Sequence, residues 1–274
     1  MSKLAPRPAT RSRPSMTLFA ICVALAVSLA FPVIAQRSPN FEAWPNTDFD
    51  NTTVDLSEII SGGVGRDGIP AIDDPAFRPA AEETVLGPME PVLTYAPEGG
   101  LARAYPMRYL TWHEIVNDTV AGRPIAVTFC PLCNTALVFD RRVEGDVLTF
   151  GVSGNLRHSD MVMFDRETES WWQQATGEGI VGAQAGMVLT PLVSWVESWE
   201  SFRTSHPDGL VMAEPDANRP YGRNPYVGYD SSAQPFLFFE STREGMEAVR
   251  AGVGGQIVAG EHDVVVGTAL GKHG

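Results

Sequence analysis

Two cysteines separated by two residues are the strongest chemical signal in this sequence. Cys130 and Cys133 stand in the string CPLC, and the only other cysteine, Cys22, lies in an apolar stretch near the N-terminus. Two thiols at this spacing can hold one metal ion, take part in disulfide exchange, or close a small disulfide ring. The sequence therefore predicts a thiol-centred candidate site at residues 130–133.

Three interpretations of this string compete. A structural disulfide is the default for paired thiols in an oxidising compartment, but a loop this short gains little chain entropy when it closes. Disulfide-exchange proteins place such a motif at a helix N-terminus, where the dipole lowers the thiol pKa, whereas residues 135–140 here have the pattern of a strand. The third interpretation is a metal site, because CPLCN between two strands is typical of half a thiolate knuckle.

Under the metal interpretation other donors must complete the ligand set, because there is no second cysteine pair. His113 and His158 are the nearest imidazoles in sequence, and Asp160 is one of several nearby carboxylates. Two thiolates with an imidazole suit Cu or Zn better than Mg or Ca. We favour binding of Cu or Zn, with no other cofactor expected. A thiol-disulfide redox protein and a non-enzymatic interaction domain clipped by a disulfide are the alternatives.

Several polar residues in the same stretch of chain are candidates for hydrogen bonds that support the cysteine site. They are Asn134, Arg157, Ser159, Asp165 and Arg166. The two arginines flank Ser159-Asp160 and suggest an anion pocket in an otherwise acidic protein. No residue is assigned a catalytic role, and whether the protein is an enzyme stays open at this point.

Short apolar runs separated by turn residues must position these side chains. Four strand pairs are predicted as hairpins: 92–95 with 101–105, 113–118 with 125–129, 135–140 with 147–152, and 161–164 with 170–173. A short helix is expected at 107–110, and a second one after Ser194, because Trp195, Trp199 and Phe202 share one helical face. Helical turns are also expected at 55–60, and further strands at 187–190 and 210–213. The pattern predicts an α+β, β-rich fold of serial antiparallel hairpins with a few short helices.

The N-terminus has the composition of an export signal. Four basic residues and no acid precede an uncharged apolar run at 16–35. Cleavage after Ala35 is favoured, and an uncleaved anchor is the alternative because about 20 apolar residues can span a bilayer. We expect an exported protein of the periplasm or cell envelope, in contact with membrane only through 16–35 if that segment is retained.

Charge restricts the possible partners. Removal of residues 1–35 leaves 16 basic residues against 33 acidic ones, a net charge of −17. Such a surface repels phosphate backbones, so nucleic acid is not expected as a partner. Lys3 and Lys272 are the only lysines, which leaves no candidate for a Schiff-base or phosphate-loop lysine in the body of the chain. Other partners remain unknown.

The domain organisation follows from these shifts in composition. We predict a signal or anchor at 1–35, an N-terminal surface arm at 36–61, a β-rich domain carrying the CPLC site at 62–230, and an irregular, truncated tail at 231–274. A helix is expected at 242–250 within that tail.

Several strings in fixed order resemble one family. They are DGIPAID (67–73), ARAYP (102–106), HEIVND (113–118), VTFCPLCNTALVFDR (127–141), LTFGVSGNLRHSD (148–160), FDRETESWWQ (164–173) and the tryptophan-rich segment at 194–207. Together they resemble the domain-of-unknown-function family 3179, a group of exported bacterial and archaeal proteins, over roughly residues 62–230. The resemblance implies no particular activity. In the family, asparagine often stands where this chain has His158.

Overall fold

The computed structural model describes residues 38–229 together with Gly267–Thr268. The described residues belong to one compact unit, Arg37–Gly274. The predicted export segment at 1–35 and the predicted helix at 242–250 lie outside the described residues, and so does nearly all of the predicted tail.

Short strands dominate the described part of the chain, and two helices interrupt them. The strands are β1 (Ile59–Ser61), β2 (Ile72–Asp73), β3 (Phe77–Pro79), β4 (Pro91–Tyr95), β5 (Arg103–Pro106), β6 (Ile115–Val120), β7 (Arg123–Cys130), β8 (Thr135–Asp140), β9 (Arg142–Val143), β10 (Asp146–Val147), β11 (Phe150–Arg157), β12 (Asp160–Asp165), β13 (Trp171–Gln173), β14 (Glu178–Val181), β15 (Pro191–Leu192), β16 (Ser194–Ser198), β17 (Leu210–Met212) and β18 (Gly267–Thr268). The α-helices are α1 (Met107–His113) and α2 (Trp199–Ser205). Single 3-10 turns lie at Phe41–Ala43, Leu56–Glu58 and Ala80–Glu82. This composition confirms the predicted α+β, β-rich class.

The strands form three sheets and one separate hairpin. Sheet A has the order β1-β11-β12-β13-β14, sheet B the order β15-β8-β7-β6-β2, and sheet C the order β18-β16-β4-β5-β17-β3. Among the described strands, β9 and β10 pair only with each other. Most neighbouring strands are antiparallel, and the parallel pairs are β2 with β6, β5 with β17, and β16 with β18.

Sheet B is buried on both faces because its central strand β7 contributes to two apolar clusters. Ala126 and Cys130 pack in the cluster shared with sheet A, whereas Val127 and Phe129 pack in the cluster shared with sheet C. Side chains alternate between the two faces of a strand, so an almost continuous apolar run is what a strand in this position needs. β7 therefore places Cys130 at the boundary between sheets A and B.

The segment before β1 packs against the outer face of sheet A. Trp44 is 3% exposed, and its ring centroid lies 4.9 Å from that of Phe164 and 5.3 Å from that of Trp171. Composition had predicted a surface arm here, because Pro, Asn and Asp outnumber the apolar residues. Three well-spaced aromatic side chains are enough to bind this segment to the sheet.

The local hairpins are the best-predicted part of the fold. β4 pairs with β5, β6 with β7, and β12 with β13, each antiparallel and close to the expected bounds. Helix α1 begins at Met107 as predicted and continues to His113. β17 likewise coincides with the strand expected after residue 209.

The hairpin predicted between 135–140 and 147–152 is wrong. β8 pairs with β7 and β15 in sheet B, whereas β11 pairs with β1 and β12 in sheet A. Between them the small β9-β10 hairpin turns at Glu144 and Gly145, which both have positive φ. This hairpin carries the chain from one sheet to the next, so the two longer strands never meet.

The helix predicted to begin at Ser194 starts later. Ser194–Ser198 is strand β16, and α2 begins at Trp199, where the Ser198 side chain accepts a hydrogen bond from the Ser201 backbone N–H. Trp195 therefore lies on a strand, while Trp199 and Phe202 share the buried face of the helix. The helical turns predicted at 55–60 are reduced to one 3-10 turn followed by β1. In place of the strand predicted at 187–190, a single bridge forms at Val188.

No α-helix within residues 38–229 is both long enough and apolar enough to cross a membrane.

Candidate functional site

The CPLC string forms the turn between β7 and β8. β7 ends at Cys130 and β8 begins at Thr135, and these two residues are paired across the hairpin. Asn134 closes the turn with a φ of 53°, a left-handed conformation that asparagine adopts more readily than most residues. The turn therefore presents both sulfurs at one end of sheet B.

A second hairpin turn brings a carboxylate to the same place. β11 and β12 are joined by His158 and Ser159, which have φ values of 53° and 62°. Two central residues with positive φ define a tight turn whose twist matches that of the flanking strands. The Ser159 carbonyl oxygen lies 4.0 Å from Cys130 Sγ, and Asp160 follows as the first residue of β12.

Cys130, Cys133 and Asp160 form one group across the boundary between sheets A and B. Their potential ligand atoms all lie within 4.8 Å of one another. The Cys133 thiol donates a hydrogen bond of 3.2 Å to Asp160 Oδ1. Both cysteines are free thiols; Cys130 is buried and Cys133 is half-buried.

The two oxygens of Asp160 have different surroundings. Oδ2 accepts hydrogen bonds from Gln173 Nε2 and, at 2.9 Å, from the Ala175 backbone N–H. Arg157 Nη1 in turn donates to Gln173 Oε1 at 3.4 Å. Neighbours thus fix the carboxylate in one orientation, which directs Oδ1 towards the thiols.

Burial dominates the electrostatics of this region. It raises the pKa of the Cys130 thiol well above its ordinary value, and the neighbouring Cys133 and Asp160 add to the rise. Burial also raises the pKa of Asp160, although the hydrogen bonds from Ala175 and Gln173 oppose that rise. The nearby Glu114 carboxyl has its pKa raised to about 8, first by burial and then by the charge of Asp160. At neutral pH burial therefore favours the protonated forms of Cys130 and Glu114.

A cavity of about 130 Å³ lies beside Cys130. The residues that line it include Glu114, Leu156 and Met161. Asn155 is 5% exposed, and within the described part of the chain its Nδ2 has no hydrogen-bond partner.

Both candidate histidines lie outside the cysteine–aspartate group. His113 is buried, with Nδ1 2.7 Å from the Pro70 carbonyl oxygen and Nε2 2.6 Å from the Tyr221 hydroxyl. Burial lowers its pKa. The His158 side chain is 46% exposed in the tight turn, and its Nε2 lies 3.5 Å from a Glu58 carboxylate oxygen.

The proposed supporting residues separate into two sets. Arg157 and Ser159 lie beside the group, and Arg157 also pairs with Glu58 at 2.6 Å. Asp165 and Arg166 lie at and just beyond the far end of β12, about 17 Å away at ~3.3 Å per strand residue. Arg166 pairs there with Asp67 at 2.8 Å.

Sequence reasoning missed Gln173 and Glu114. Gln173 ends the apolar strand β13, and a polar residue at the end of a buried strand is the one signal that could have identified it. Glu114 follows helix α1 with a φ of 60°, and nothing in the sequence distinguishes it from an exposed helix-terminal acid.

Comparison with known proteins identifies a family. The family described as "Protein of unknown function (DUF3179)" matches residues 66–274, about three quarters of the chain, and so continues past residue 230, where the sequence resemblance had ended. No curated protein and no solved structure matches this chain. The order of the motifs and this match lead to one conclusion: the chain belongs to the DUF3179 family.

Proposed function

We propose that this protein binds a thiophilic metal ion through Cys130, Cys133 and Asp160. The observation that supports this proposal most directly is the convergence of three potential ligand atoms, from two different sheets, within 4.8 Å of one another. Ligand atoms this close together are compatible with the binding of one metal ion.

The donor types favour zinc over copper(I). Cysteine sulfur is a ligand for both ions, but the third donor is a carboxylate oxygen instead of an imidazole. Zinc accepts sulfur, nitrogen and carboxylate oxygen, whereas Cu(I) is selected by soft sulfur ligands. Zinc is therefore the leading ion, and copper(I) is the alternative that the test below separates from it.

The surroundings of Asp160 support a ligand role. Metal-binding carboxylates are commonly oriented by hydrogen bonds from a second layer of residues. Gln173 and Ala175 supply such bonds to Oδ2 and leave Oδ1 on the side of the thiols. The same arrangement would supply an oriented oxygen without a rearrangement of the backbone.

Three protein donors suit an open zinc site. Structural zinc sites are closed by four protein ligands, whereas catalytic or exchange sites have three and keep a position for water or substrate. The group found among the described residues has three members. Metal handling or metal-assisted chemistry therefore fits better than a purely structural ion.

Thiol–disulfide exchange is the second candidate, because two free thiols lie side by side and Cys133 is partly accessible. Two features weigh against it. No helix begins at the CPLC turn, and the pKa of Cys130 is raised, whereas reactive thiols have a lowered pKa. A reduction potential for the Cys130–Cys133 pair well below about −300 mV would indicate an inert bridge instead of an exchanging one.

We further propose that the protein works outside the cytoplasm, in the periplasm or cell envelope. The basic residues before residue 16 and the apolar run at 16–35 support this location. The acidic composition supports a function without nucleic acid.

Metal analysis of protein purified without a histidine tag tests the proposal. After incubation with zinc and removal of free ions, wild type should retain one equivalent, and Cys130→Ser, Cys133→Ser and Asp160→Asn should retain far less. His158→Ala is the matched control, because this imidazole lies outside the group, and it should retain the ion. Parallel loading with Cu(I) under reducing conditions ranks the two ions. Absence of both metals from wild type, or equal retention by the cysteine variants, would contradict the proposal.

A further inference from the structure

The two thiols of the CPLC turn differ in their access to solvent. Cys130 is 1% exposed and packs with Leu132 and Tyr229 in the apolar cluster between sheets A and B. Cys133 is half-buried and is one of the partly buried residues that pack against that cluster. The reaction of a thiol with a dissolved oxidant depends on exposure as well as on thiolate character. A small oxidant therefore reaches the Cys133 sulfur more easily than the Cys130 sulfur.

The same turn holds the two sulfurs close together. The potential ligand atoms of Cys130, Cys133 and Asp160 all lie within 4.8 Å of one another, so this distance is also the upper limit for the separation of the two sulfurs. Both cysteines are free thiols. Thiols separated by two residues form disulfides in redox proteins, and a sulfenic acid beside a second thiol condenses with it. The buried sulfur is therefore placed to react with an oxidised neighbour.

A carboxylate lies beside the more accessible thiol. The Cys133 thiol donates a hydrogen bond of 3.2 Å to Asp160 Oδ1, and Asp160 Oδ2 is held by Gln173 Nε2 and the Ala175 N–H. The thiolate is the nucleophile in cysteine chemistry, so the thiol must lose its proton during the attack. Asp160 Oδ1 is placed to accept that proton while its neighbours keep the carboxylate in position.

We propose that Cys133 is an oxidation site for hydroperoxides and that Cys130 converts the oxidised residue to a Cys130–Cys133 disulfide. With hydrogen peroxide, the Cys133 sulfur attacks one oxygen. An S–O bond forms, the O–O bond breaks, and the leaving hydroxide takes up the thiol proton by way of Asp160 and becomes water.

The second step closes the disulfide. The Cys130 sulfur attacks the sulfenic sulfur of Cys133, an S–S bond forms and the S–O bond breaks. The hydroxide that leaves takes up the Cys130 proton and becomes the second water molecule. In total the two sulfurs lose two electrons, and the peroxide gains them.

The reaction also controls metal retention, and this consequence rests on the proposed function. A disulfide has no thiolate left to bind an ion, so Asp160 is the one remaining donor of the group. Oxidation therefore releases bound zinc, and reduction of the disulfide restores the site. The oxidation itself does not require a metal.

Peptide mapping of the metal-free full-length chain tests the proposal. Cys22→Ser is introduced throughout, so that Cys130 and Cys133 are the only thiols. The tryptic peptide 109–141 contains both of them and no methionine, so methionine oxidation does not change its mass. Millimolar hydrogen peroxide should convert this peptide to a species lighter by two hydrogen atoms, and dithiothreitol should reverse the change.

Single-cysteine variants assign the two sulfurs. In Cys130→Ser the sulfenic acid of Cys133 has no thiol to react with, so dimedone should trap it in high yield. In Cys133→Ser the remaining thiol is buried, and its labelling under the same conditions should be slower by a factor of roughly ten or more. Near-UV circular dichroism checks that both variants are folded.

Each contrary result overturns the proposal. These results are no disulfide in the chain with both thiols, no dimedone adduct in Cys130→Ser, or equally fast labelling of the two variants. If either variant does not fold, limiting N-ethylmaleimide on the chain with both thiols decides the assignment. Alkylation of Cys133 first supports it, and alkylation of Cys130 first overturns it.

The zinc measurement is kept separate from the thiol measurement. A chromophoric chelator records zinc released from the loaded chain during peroxide treatment, and one ion should appear for each disulfide formed. A chain that forms the disulfide but never binds zinc contradicts the proposed function and supports the oxidation site. A chain that retains zinc after the disulfide has formed overturns the control of metal retention.

Discussion

Strand β12 begins and ends with a buried aspartate, and the two carboxylates have opposite surroundings. At the far end both oxygens of Asp165 are occupied: Thr168 donates to Oδ1 through its backbone N–H at 2.6 Å, and Trp172 Nε1 donates to Oδ2 at 2.8 Å. At the near end Gln173 and Ala175 occupy only Oδ2 of Asp160, and Oδ1 lies towards two thiols. The Asp165 carboxylate, with both oxygens hydrogen-bonded to fixed donors, stabilises the turn that follows β12. The Asp160 carboxylate has one oxygen beside thiols that a metal ion could deprotonate, and this arrangement suits ligand binding.

The largest effect should come from removal of the saturated carboxylate. Asp165→Ala leaves the Trp172 indole and the Thr168 N–H without an acceptor, at ~1–3 kcal/mol for each buried donor. We expect the free energy of unfolding in urea to fall by about 3–5 kcal/mol. Zinc retained per folded molecule should not change. Loss of zinc from an otherwise stable variant would show that the two ends of β12 are not independent.

Asp160→Asn should produce the opposite result. The amide oxygen can still accept a hydrogen bond from the Ala175 N–H, so the free energy of unfolding should change little. The negatively charged oxygen that would bind the metal ion beside the thiols is lost. We expect zinc affinity to fall about 100-fold, equivalent to ~2.7 kcal/mol, in a competition titration with a chromophoric chelator. Asp165→Asn is the matched control and should keep wild-type affinity. If that control loses zinc as strongly, the distinction between the two carboxylates does not hold.

Glu114 extends the comparison to a buried carboxyl whose pKa is raised mainly by burial. Its pKa is raised from the ordinary 4.5 to about 8, so the folded state binds a proton that the unfolded state releases. The resulting stability is fully present below pH 4.5 and is lost as the pH rises through 8. At pH 6 the free energy of unfolding of Glu114→Gln should therefore exceed that of wild type by about 2 kcal/mol, with little difference at pH 4.5.

Urea titrations of both proteins at several pH values measure this difference. Asp160, whose pKa is raised as well, should cause part of the wild-type pH dependence to persist in Glu114→Gln. A difference that stays constant between acidic and alkaline pH would contradict the role given to Glu114.

The smallest effect should come from the residue that orients Asp160. Gln173→Leu keeps a side chain of similar size but removes one hydrogen-bond donor to Asp160 Oδ2, while the Ala175 N–H remains. We expect about a tenfold loss of zinc affinity, ~1.4 kcal/mol, in the same competition titration. Gln184→Leu changes a glutamine elsewhere in the fold and serves as the control. Unchanged affinity in Gln173→Leu would show that Ala175 alone positions the carboxylate.

Local pairing explains how much of the fold could be predicted. Strands joined by two to seven residues are short apolar runs with turn residues between them, so β4-β5, β6-β7 and β12-β13 were predictable. The pattern does not reveal which sheet a strand joins. β8 and β11 have the composition expected of hairpin partners, but the two-residue strands β9 and β10 separate them. The spacing of Trp195, Trp199 and Phe202 likewise fits one face of a helix. A serine precedes each tryptophan and either serine could cap the helix, so the sequence does not decide whether the helix begins after Ser194 or after Ser198.

The candidate site was predictable in part. The CPLC spacing identified both thiols, and Asp160 was one of several acids in the same region of the sequence. What selects Asp160 from that set is the packing of sheet A on sheet B, which depends on contacts far apart in sequence. The same packing excludes His113, because α1 lies in the cluster on the other face of sheet B. Only this packing places Gln173 and Glu114 near the two thiols, so the sequence alone does not assign either residue to the site.

The origin of the donors in two layers has a consequence for assembly of the protein. A polypeptide in which sheets A and B have not yet docked holds Cys130 and Cys133 without Asp160. Capture of an ion and cohesion of the two layers are then thermodynamically linked, and an ion present at 100 times its dissociation constant adds about 2.7 kcal/mol to the folded state. A metal ion at this boundary would bind fully only after the two sheets had packed together, and its concentration would help to set the lifetime of the packed state.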